Sequence, residues 1–451
     1  MNVPITENEN DKIVLVNEET NRWVVELLRE EVKPAAGCTE PVAVALAAAK
    51  VSEVLNNSMS ELVIGVSPNI YKNGFAVMLP GVMEAGLDLA AALGSARASA
   101  ERGLDVLNHL SEAEIRTARE RLAEGKIRIE LIDTTEKVLI QAEQWSEDRA
   151  HHARLTLRGK HDRIVEVIKD GICLEKIEEK SPATEKSITG FEGFYTMKVR
   201  DLVLMIDEID TEPLAFLLEG VIMNQTMAEV GMTSPVGLGT AFALKQRFSK
   251  NGQMKDLARL AMTMTAGASD ARMAGVDLPV MSSNGSGNNG ITAIMPLVAY
   301  FELKGTGRSD QIRALALSHL INSYIKAEIG RLSALCSCGI AAATGASAAI
   351  AWLDTRDPEI VESTMTNMMA NLSGMVCDGA KLGCALKLAT AASTAVETAA
   401  LAGDGIRVPA GNGLVGRTIE DTISNLGRLS RQGMQLADAV VLDIQETFAR
   451  G

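Results

Sequence analysis

Glu175-Lys-Ile-Glu-Glu-Lys-Ser-Pro-Ala-Thr-Glu-Lys-Ser-Ile-Thr189 separates two stretches of different composition. It is charged, carries Ser, Thr and Pro, and is poor in apolar residues, so it reads as a linker. Upstream lie four alternating runs of β character: Ile127 to Ile132, Lys137 to Ala142, His152 to Leu157 and Ile164 to Lys169. Downstream, from Phe194 onward, apolar residues recur at helical spacing through about ten helices, broken by Gly- and Asn-rich turns, with no convincing strand. The expected architecture is an α+β N-terminal domain with a small antiparallel sheet, residues 1–190. A larger all-α helical domain, residues 191–451, follows it.

Within the first part, Glu19 to Glu30 reads as a helix with Trp23, Val24, Leu27 and Leu28 on one side, stopped by Pro34. Lys33 to Pro41 reads as a loop, and Pro41 suits the first turn of an Ala/Val-rich helix that reaches Leu55. Strands are expected at Leu62 to Val66 and Phe75 to Leu79, and helices at Val82 to Leu93 and Ala113 to Ala123. Ser111 followed by Glu114 gives the last of these a capping box. Asp133-Thr-Thr135 reads as the turn of a hairpin joining the first two β runs. No short-period repeat is present.

The 451 residues suit two or three domains with ample core. Apolar residues make up 47% and aromatics only 3%, so the core is built from Ala, Leu, Val, Ile and Met. Small side chains let helix backbones approach closely, and Ala- and Met-rich helices leave scope for a homodimer interface. The net charge of −14 excludes nucleic acid and anionic membranes as natural partners, since both need a positive face. Met1 to Asn21 is polar and acidic with no apolar h-region, which predicts a cytoplasmic protein. The uncharged run Cys336 to Leu353 is mostly Ala, Gly, Ser, Thr and Cys, and reads as a tightly buried helix, not a membrane span.

Six cysteines occur: Cys38, Cys173, Cys336, Cys338, Cys377 and Cys384. In a reducing compartment disulfides are not expected. Four of the six cluster in Cys336-Ser-Cys338-Gly339 and Cys377-Asp-Gly-Ala-Lys-Leu-Gly-Cys384. Soft thiolates from separate segments suit an iron–sulfur cluster, and adjacent glycines let the backbone turn and leave room for inorganic sulfide. The spacing is not a ferredoxin pattern. Structural core cysteines and a catalytic thiol pair stay open as alternatives. Asp378 and Lys381, between two candidate ligands, tune the site or cap its turn.

Met281-Ser-Ser-Asn-Gly-Ser-Gly-Asn-Asn-Gly290 precedes the apolar run Ile291 to Val298. Small residues expose successive N–H groups, and a following helix N-terminus adds positive potential. Ser283, Asn284, Gly285, Ser286, Gly287, Asn288 and Asn289 therefore form a candidate cradle for a carboxylate or phosphate, or else an ordinary loop. It is not a Walker loop. In Gly37-Cys-Thr-Glu-Pro41, Cys38 precedes a helix start, where the dipole favours a thiolate that serves as base or metal ligand. A buried cysteine in a capping loop is the plainer alternative. His109, His151, His152, His161 and His319 form no His-x-x-x-His pair, which argues against a zinc hydrolase. Cys173, at the end of the sheet region, reads as structural. No Rossmann fingerprint or pyridoxal phosphate site stands out.

These motifs together resemble the L-cysteine desulfidase branch of the iron–sulfur serine dehydratases, over nearly the whole chain. The anchors are Gly37-Cys-Thr-Glu-Pro41, the loop 283–290, Arg331-Leu-Ser-Ala-Leu-Cys-Ser-Cys338 and Met375-Val-Cys-Asp-Gly-Ala-Lys-Leu-Gly-Cys384. The resemblance implies an oxygen-sensitive [4Fe–4S] cluster in place of pyridoxal phosphate, with an open iron as Lewis acid. It implies β-elimination from a small amino acid: sulfide from L-cysteine or water from L-serine, leaving pyruvate and ammonia. A cluster-bearing amino-acid sensor is the non-catalytic alternative. By resemblance Cys377 and Cys384 are cluster ligands, with Cys336 or Cys338 as the third. Cys38 becomes the base or a displaceable fourth ligand, and residues 283–289 hold the substrate carboxylate. The N-terminal half resembles, more loosely, the small β domain of serine dehydratases, whose matching loop is Ser/His/Thr-rich. This chain has no histidine there, which counts against serine as the substrate. The desulfidase loop commonly reads Asn-Ser-Gly-Ser-Gly-Asn-Gln-Gly, and Ser283, Asn284 and Asn289 replace three of its residues. The chain ends Ala449-Arg-Gly451, so self-ligation by a C-terminal cysteine is not expected.

Overall fold

A computed structural model describes residues 18–35, 37–177, 193–250 and 252–450. The segment read as a linker lies largely outside them. Helix α1 (Glu18–Glu31) buries Trp23, Val24, Leu27 and Leu28, the face expected from their spacing. Trp23 meets Phe194 at 5.7 Å between ring centroids, so α1 packs into the core of the helices that follow the sheet. A two-residue strand β1 (Pro34–Ala35) leads to α2 (Thr39–Val54), with Pro41 in its first turn.

Strand β2 (Glu61–Val66) precedes α3 (Pro68–Gly74), α4 (Leu87–Arg97) and α5 (Glu112–Ala123). The capping box of α5 is present: the Ser111 side chain accepts from the Glu114 N–H, and Glu114 reaches back to the Ser111 N–H. Phe75 to Leu79 is not a strand. Pro80 and Gly81 turn the chain back at once, so only Met78 bridges Ala85. The helix expected from Val82 starts later, at Leu87, because Met83 and Gly86 have positive φ values of 53° and 135°.

The sheet comprises β2, β3 (Ile127–Leu131), β4 (Leu139–Trp145), β5 (His152–Arg158), β6 (Ile164–Lys169) and β7 (Ile172–Lys176), in the order β3-β2-β4-β5-β6-β7. It is antiparallel except that β3 runs parallel to β2. The expected hairpin between β3 and β4 is absent: β2 lies between them. Residues 132–138 span the two strand spacings, about 10 Å, that separate them. β7 was not expected. It is an exposed edge strand that carries Cys173 on the surface. Its Ile172, Leu174 and Ile177 neighbourhood lacks the buried alternation by which the inner strands are recognised. One face of the sheet packs on α2 and α4, giving a core of Val, Ile, Leu and Ala from Val42 to Val167.

The second core is helical: α6 (Val199–Glu208), α7 (Leu217–Thr233), α8 (Thr240–Lys250) and α9 (Leu257–Met273) come first. Strand β8 (Val280–Met281) then pairs antiparallel with β1, a short strand missed because two residues show no period. The remaining helices are α10 (Gly287–Lys304), α11 (Arg308–Ile329), α12 (Ala343–Thr355), α13 (Pro358–Leu372), α14 (Cys384–Gly403), α15 (Ile419–Arg428) and α16 (Gln435–Arg450). Small residues set their spacing. A Cβ on Gly231 of α7 would lie 2.1 Å from the Gly267 carbonyl oxygen of α9, so only glycine permits that crossing. The uncharged run ending at Leu353 is buried as α12 and the turn before it. No helix among the described residues is long and apolar enough to cross a membrane.

Candidate active site

The two clustered cysteine segments meet. Leu335 and Val376 form an antiparallel bridge, with the Cys336 N–H donating to Met375 O at 2.8 Å and the Cys377 N–H to Ala334 O at 2.7 Å. Cys338 opens a π-helical turn, Cys338–Ala342, that runs into α12, and Cys384 opens α14. Cys336 is buried, and Cys338, Cys377 and Cys384 are half-buried. A hydrogen bond with Cys338 and burial hold the Cys336 thiol well above its ordinary value. Burial raises Cys377 and pushes Cys384 up to about 12, and both feel Cys336 as a further raising charge. Among the described residues no group of three or more His, Cys, Asp or Glu side chains stands ready to enclose a metal ion. Cys384 Sγ bonds the backbone instead, at 3.8 Å from Gly379 O.

The loop between Cys377 and Cys384 is gripped from both sides. Asp378 pairs with Lys381 and Lys387, and Lys387 Nζ also donates to Val376 O at 2.8 Å. Lys72 of α3, 2% exposed, donates to Cys377 O at 3.4 Å and pairs with Asp438 of α16 at 2.5 Å. Gln445 of α16 donates to Lys72 O at 3.4 Å and Asp378 O at 3.3 Å. Gly379 has φ +91°, and a Cβ there would lie 2.2 Å from Lys72 O. The sheet-bearing part thus touches the cysteine loop through α3.

The loop 283–290 turns at Asn284 and Gly285, φ +51° and +76°, and Ser286 caps α10 by accepting from the Asn289 N–H at 3.4 Å. Its side chains turn inward onto α11. Ser283 Oγ accepts from Asn322 at 2.9 Å and lies 3.0 Å from His319 Nδ1. Asn284 donates to Ser323 Oγ at 2.9 Å, Asn289 to Asn322 Oδ1 at 3.2 Å, and Lys326 Nζ to Asn284 O at 2.8 Å. Those side chains hold the loop's shape. Among the described residues no backbone acceptor is found for the first-turn N–H groups of Gly287 and Asn288, which sit at the positive end of α10.

Cys38 is the N-cap residue of α2 and is 3% exposed. It packs with Val77 and Met273, and with Ala380, Leu382 and Cys384 of the cysteine loop. Contrary to the thiolate expected from its place before a helix start, burial outweighs the helix end and raises the Cys38 pKa, and Arg272 opposes that. Arg272 of α9 donates to Gly37 O at 2.7 Å and to Asn288 Oδ1 at 3.0 Å, and its charge acts on Cys38. It therefore ties the Cys38 loop to the loop 283–290, and Thr39 Oγ1 reaches Gly285 O at 3.4 Å. Cys38, the loop 283–290 and the four clustered cysteines occupy one locality; Cys173 does not belong to it.

Arg272, Lys72, Lys326, Glu31, Glu40, Asn73 and His161 also line this locality, and sequence reasoning missed them as site residues. Glu31 pairs with Arg331. His161, from the β5–β6 turn, lies 4.0 Å from Glu40. Single charged residues far apart in sequence carry no periodic or spacing signal. The available hint is a pair of charges, Asp270 and Arg272, inside the stretch of α9 that is buried all round, Thr263 to Met273.

A family model described as serine dehydratase alpha chain matches residues 101–443. A UPF0597 protein of Clostridioides difficile (strain 630) is 45% identical over 421 residues, 93% of this chain and 98% of the relative. One from Alkaliphilus oremlandii (strain OhILAs) is 44% identical over 432 residues, covering 95% and 99%. One from Caldanaerobacter subterraneus subsp. tengcongensis is 39% identical over 421 residues, covering 93% and 97%.

Proposed function

Because the chain belongs to the serine dehydratase alpha chain family, we propose that it is an iron–sulfur-dependent lyase that splits L-cysteine and water into pyruvate, sulfide and ammonia. Family membership supports a dehydratase-type lyase acting on a small amino acid. The convergence of Cys336, Cys377 and Cys384 beside Cys38 and the N-terminus of α10 carries the rest.

The donor set fits a [4Fe–4S] cluster. The thiols are soft, and burial chiefly, with their neighbours adding to it, keeps Cys377 and Cys384 protonated, so an inserted cation is what would ionise them. Lys72 and Lys387 offset the resulting negative charge from either side. Cys377, Cys384 and Cys336 would be the ligands. Cys336 is preferred to Cys338 because backbone pairing ties it to Cys377, whereas Cys338 opens the π-helical turn beyond that pairing. When bound, the cluster supplies a Lewis-acidic iron for the departing β-group. The chain's residues do the remainder. The Gly287 and Asn288 N–H groups bind the substrate carboxylate. Cys38 takes the Cα proton once the neighbouring Arg272 guanidinium has ionised its thiol against the effect of burial. Burial of the locality keeps water from the reacting centre. An oxygen-sensitive cluster of this kind suits the reducing cytoplasm.

Protein purified and reconstituted anaerobically should release sulfide and pyruvate in equal amounts from L-cysteine, and faster than it releases pyruvate from L-serine. A colourless protein that keeps no iron after reconstitution and forms neither product refutes the reading. Preference for L-serine would transfer it to the dehydratase reaction.

A further inference from the structure

Helix α2 begins with a buried carboxylate that no Lys or Arg among the described residues contacts, although it lies within electrostatic reach of Lys326. Glu40 is 8% exposed. Among the described residues its oxygens meet neutral donors at the long end of hydrogen bonding, Thr39 Oγ1 at 3.2 Å and Asn73 Nδ2 at 3.2 Å. Thr39 also lies within reach of Gly285 O, so its single hydroxyl proton is shared between two acceptors. Among the described residues the one basic group within 4.0 Å of Glu40 is His161 Nε2, at 4.0 Å and beyond hydrogen-bond contact. A buried charge in that state lacks the compensation it needs.

Two more polar atoms at the same place are unsatisfied. Asn73 Oδ1 and His161 Nε2 are both buried without a partner. Burial lowers the His161 pKa, so its imidazole is neutral and offers Nε2 as an acceptor when Nδ1 carries the proton. A carboxylate, an amide oxygen and an imidazole nitrogen therefore converge with no cationic donor among them. The group that satisfies all three is a primary ammonium, with one positive charge and three N–H bonds. Thr39 links this spot to the loop 283–290, so it adjoins the place where a substrate carboxylate is expected.

We propose that Glu40, Asn73 and His161 form the subsite for the α-ammonium group of the substrate, and that they select α-amino acids against the matching α-hydroxy and deaminated acids. This rests on the preceding reading that the substrate is a small amino acid. Glu40 supplies the charge, while Asn73 and His161 fix the direction of the N–H bonds.

The test uses the anaerobically reconstituted full chain. For wild type, L-alanine should compete with L-cysteine and L-lactate should not. Glu40→Gln should raise KM for L-cysteine by about 10- to 100-fold, as expected for a lost charged hydrogen bond, with kcat falling less. It should also erase the preference for L-alanine over L-lactate. His161→Ala should move KM in the same direction, which covers the case that Glu40→Gln fails to fold. An unchanged KM in folded Glu40→Gln, or equal inhibition of wild type by L-lactate and L-alanine, overturns the proposal while leaving β-elimination intact. If wild type shows no turnover, the preceding reading fails instead. The subsite is then judged by thermal shift: L-alanine but not L-lactate should raise the melting temperature, and only when Glu40 is present.

Discussion

Cys336 and Cys377 stand on adjoining rungs of one backbone bridge, each donating its N–H to the residue beside the other's neighbour, Met375 and Ala334. The pairing fixes two thiols to a common frame before any ligand arrives, and Cys384 joins them from the first residue of α14. Serine at position 336, 377 or 384 should therefore cut iron retained after reconstitution at least fivefold. Serine at 338 should leave most of it. Iron and acid-labile sulfide per chain, with circular dichroism as a folding control, would check this. Loss of iron in Cys338→Ser but not in Cys336→Ser would reverse the assignment.

Gly379 passes so close to Lys72 O, at φ +91°, that an alanine faces both strain and collision. The backbone strain alone is about 1–3 kcal/mol. Relief requires the cysteine loop to move off α3. Gly379→Ala should thus lower both the melting temperature and the iron content, whereas Gly374→Ala, with open space around its Cβ, should change neither.

Which parts of this could be read from the residues depended on range. The capping box of α5 and the buried face of α1 were legible because their determinants lie within one helix turn or period. The order β3-β2-β4 was not, because a seven-residue connection can close a hairpin or skip a strand with the same composition. The cysteine motifs stood out by residue type. Their meeting in space depends on the Leu335–Val376 bridge, which no local signal announces. Arg272 and His161 reach the site from α9 and the β5–β6 turn by tertiary packing alone, and neither flanks a motif.

Lys72 and Asp438 join α3 to α16 in a nearly dry setting, with side chains 2% and 17% exposed. Removing one partner of a buried pair costs most when the other is stranded, but Asp438 keeps Asn69 Nδ2 at 3.4 Å and Lys137 at 3.8 Å, so the loss is about 2 kcal/mol. Lys72→Met should lower unfolding stability by that order, and adding Asp438→Leu should restore much of it. A double-mutant cycle by urea unfolding measures the coupling. Additive losses would mean the two side chains do not act as a pair.

His319 is wholly buried, bonded to Ser283 beneath the loop 283–290, and burial pushes its pKa down from 6.5 to about 3. Between those values the unfolded chain binds a proton that the folded chain refuses. Stability contributed by the neutral ring is complete above pH 6.5 and is lost as the pH falls toward 3, at about 1.4 kcal/mol per pH unit. His161, whose pKa burial also lowers, adds to the slope in the same sense. Urea unfolding of the cluster-free protein from pH 7 to 4.5 should show that decline. His319→Gln keeps an amide that can still meet Ser283 but cannot be protonated, so it should flatten the slope by about that one-proton amount. An identical slope in the variant would mean that His319 takes up its proton with the protein still folded.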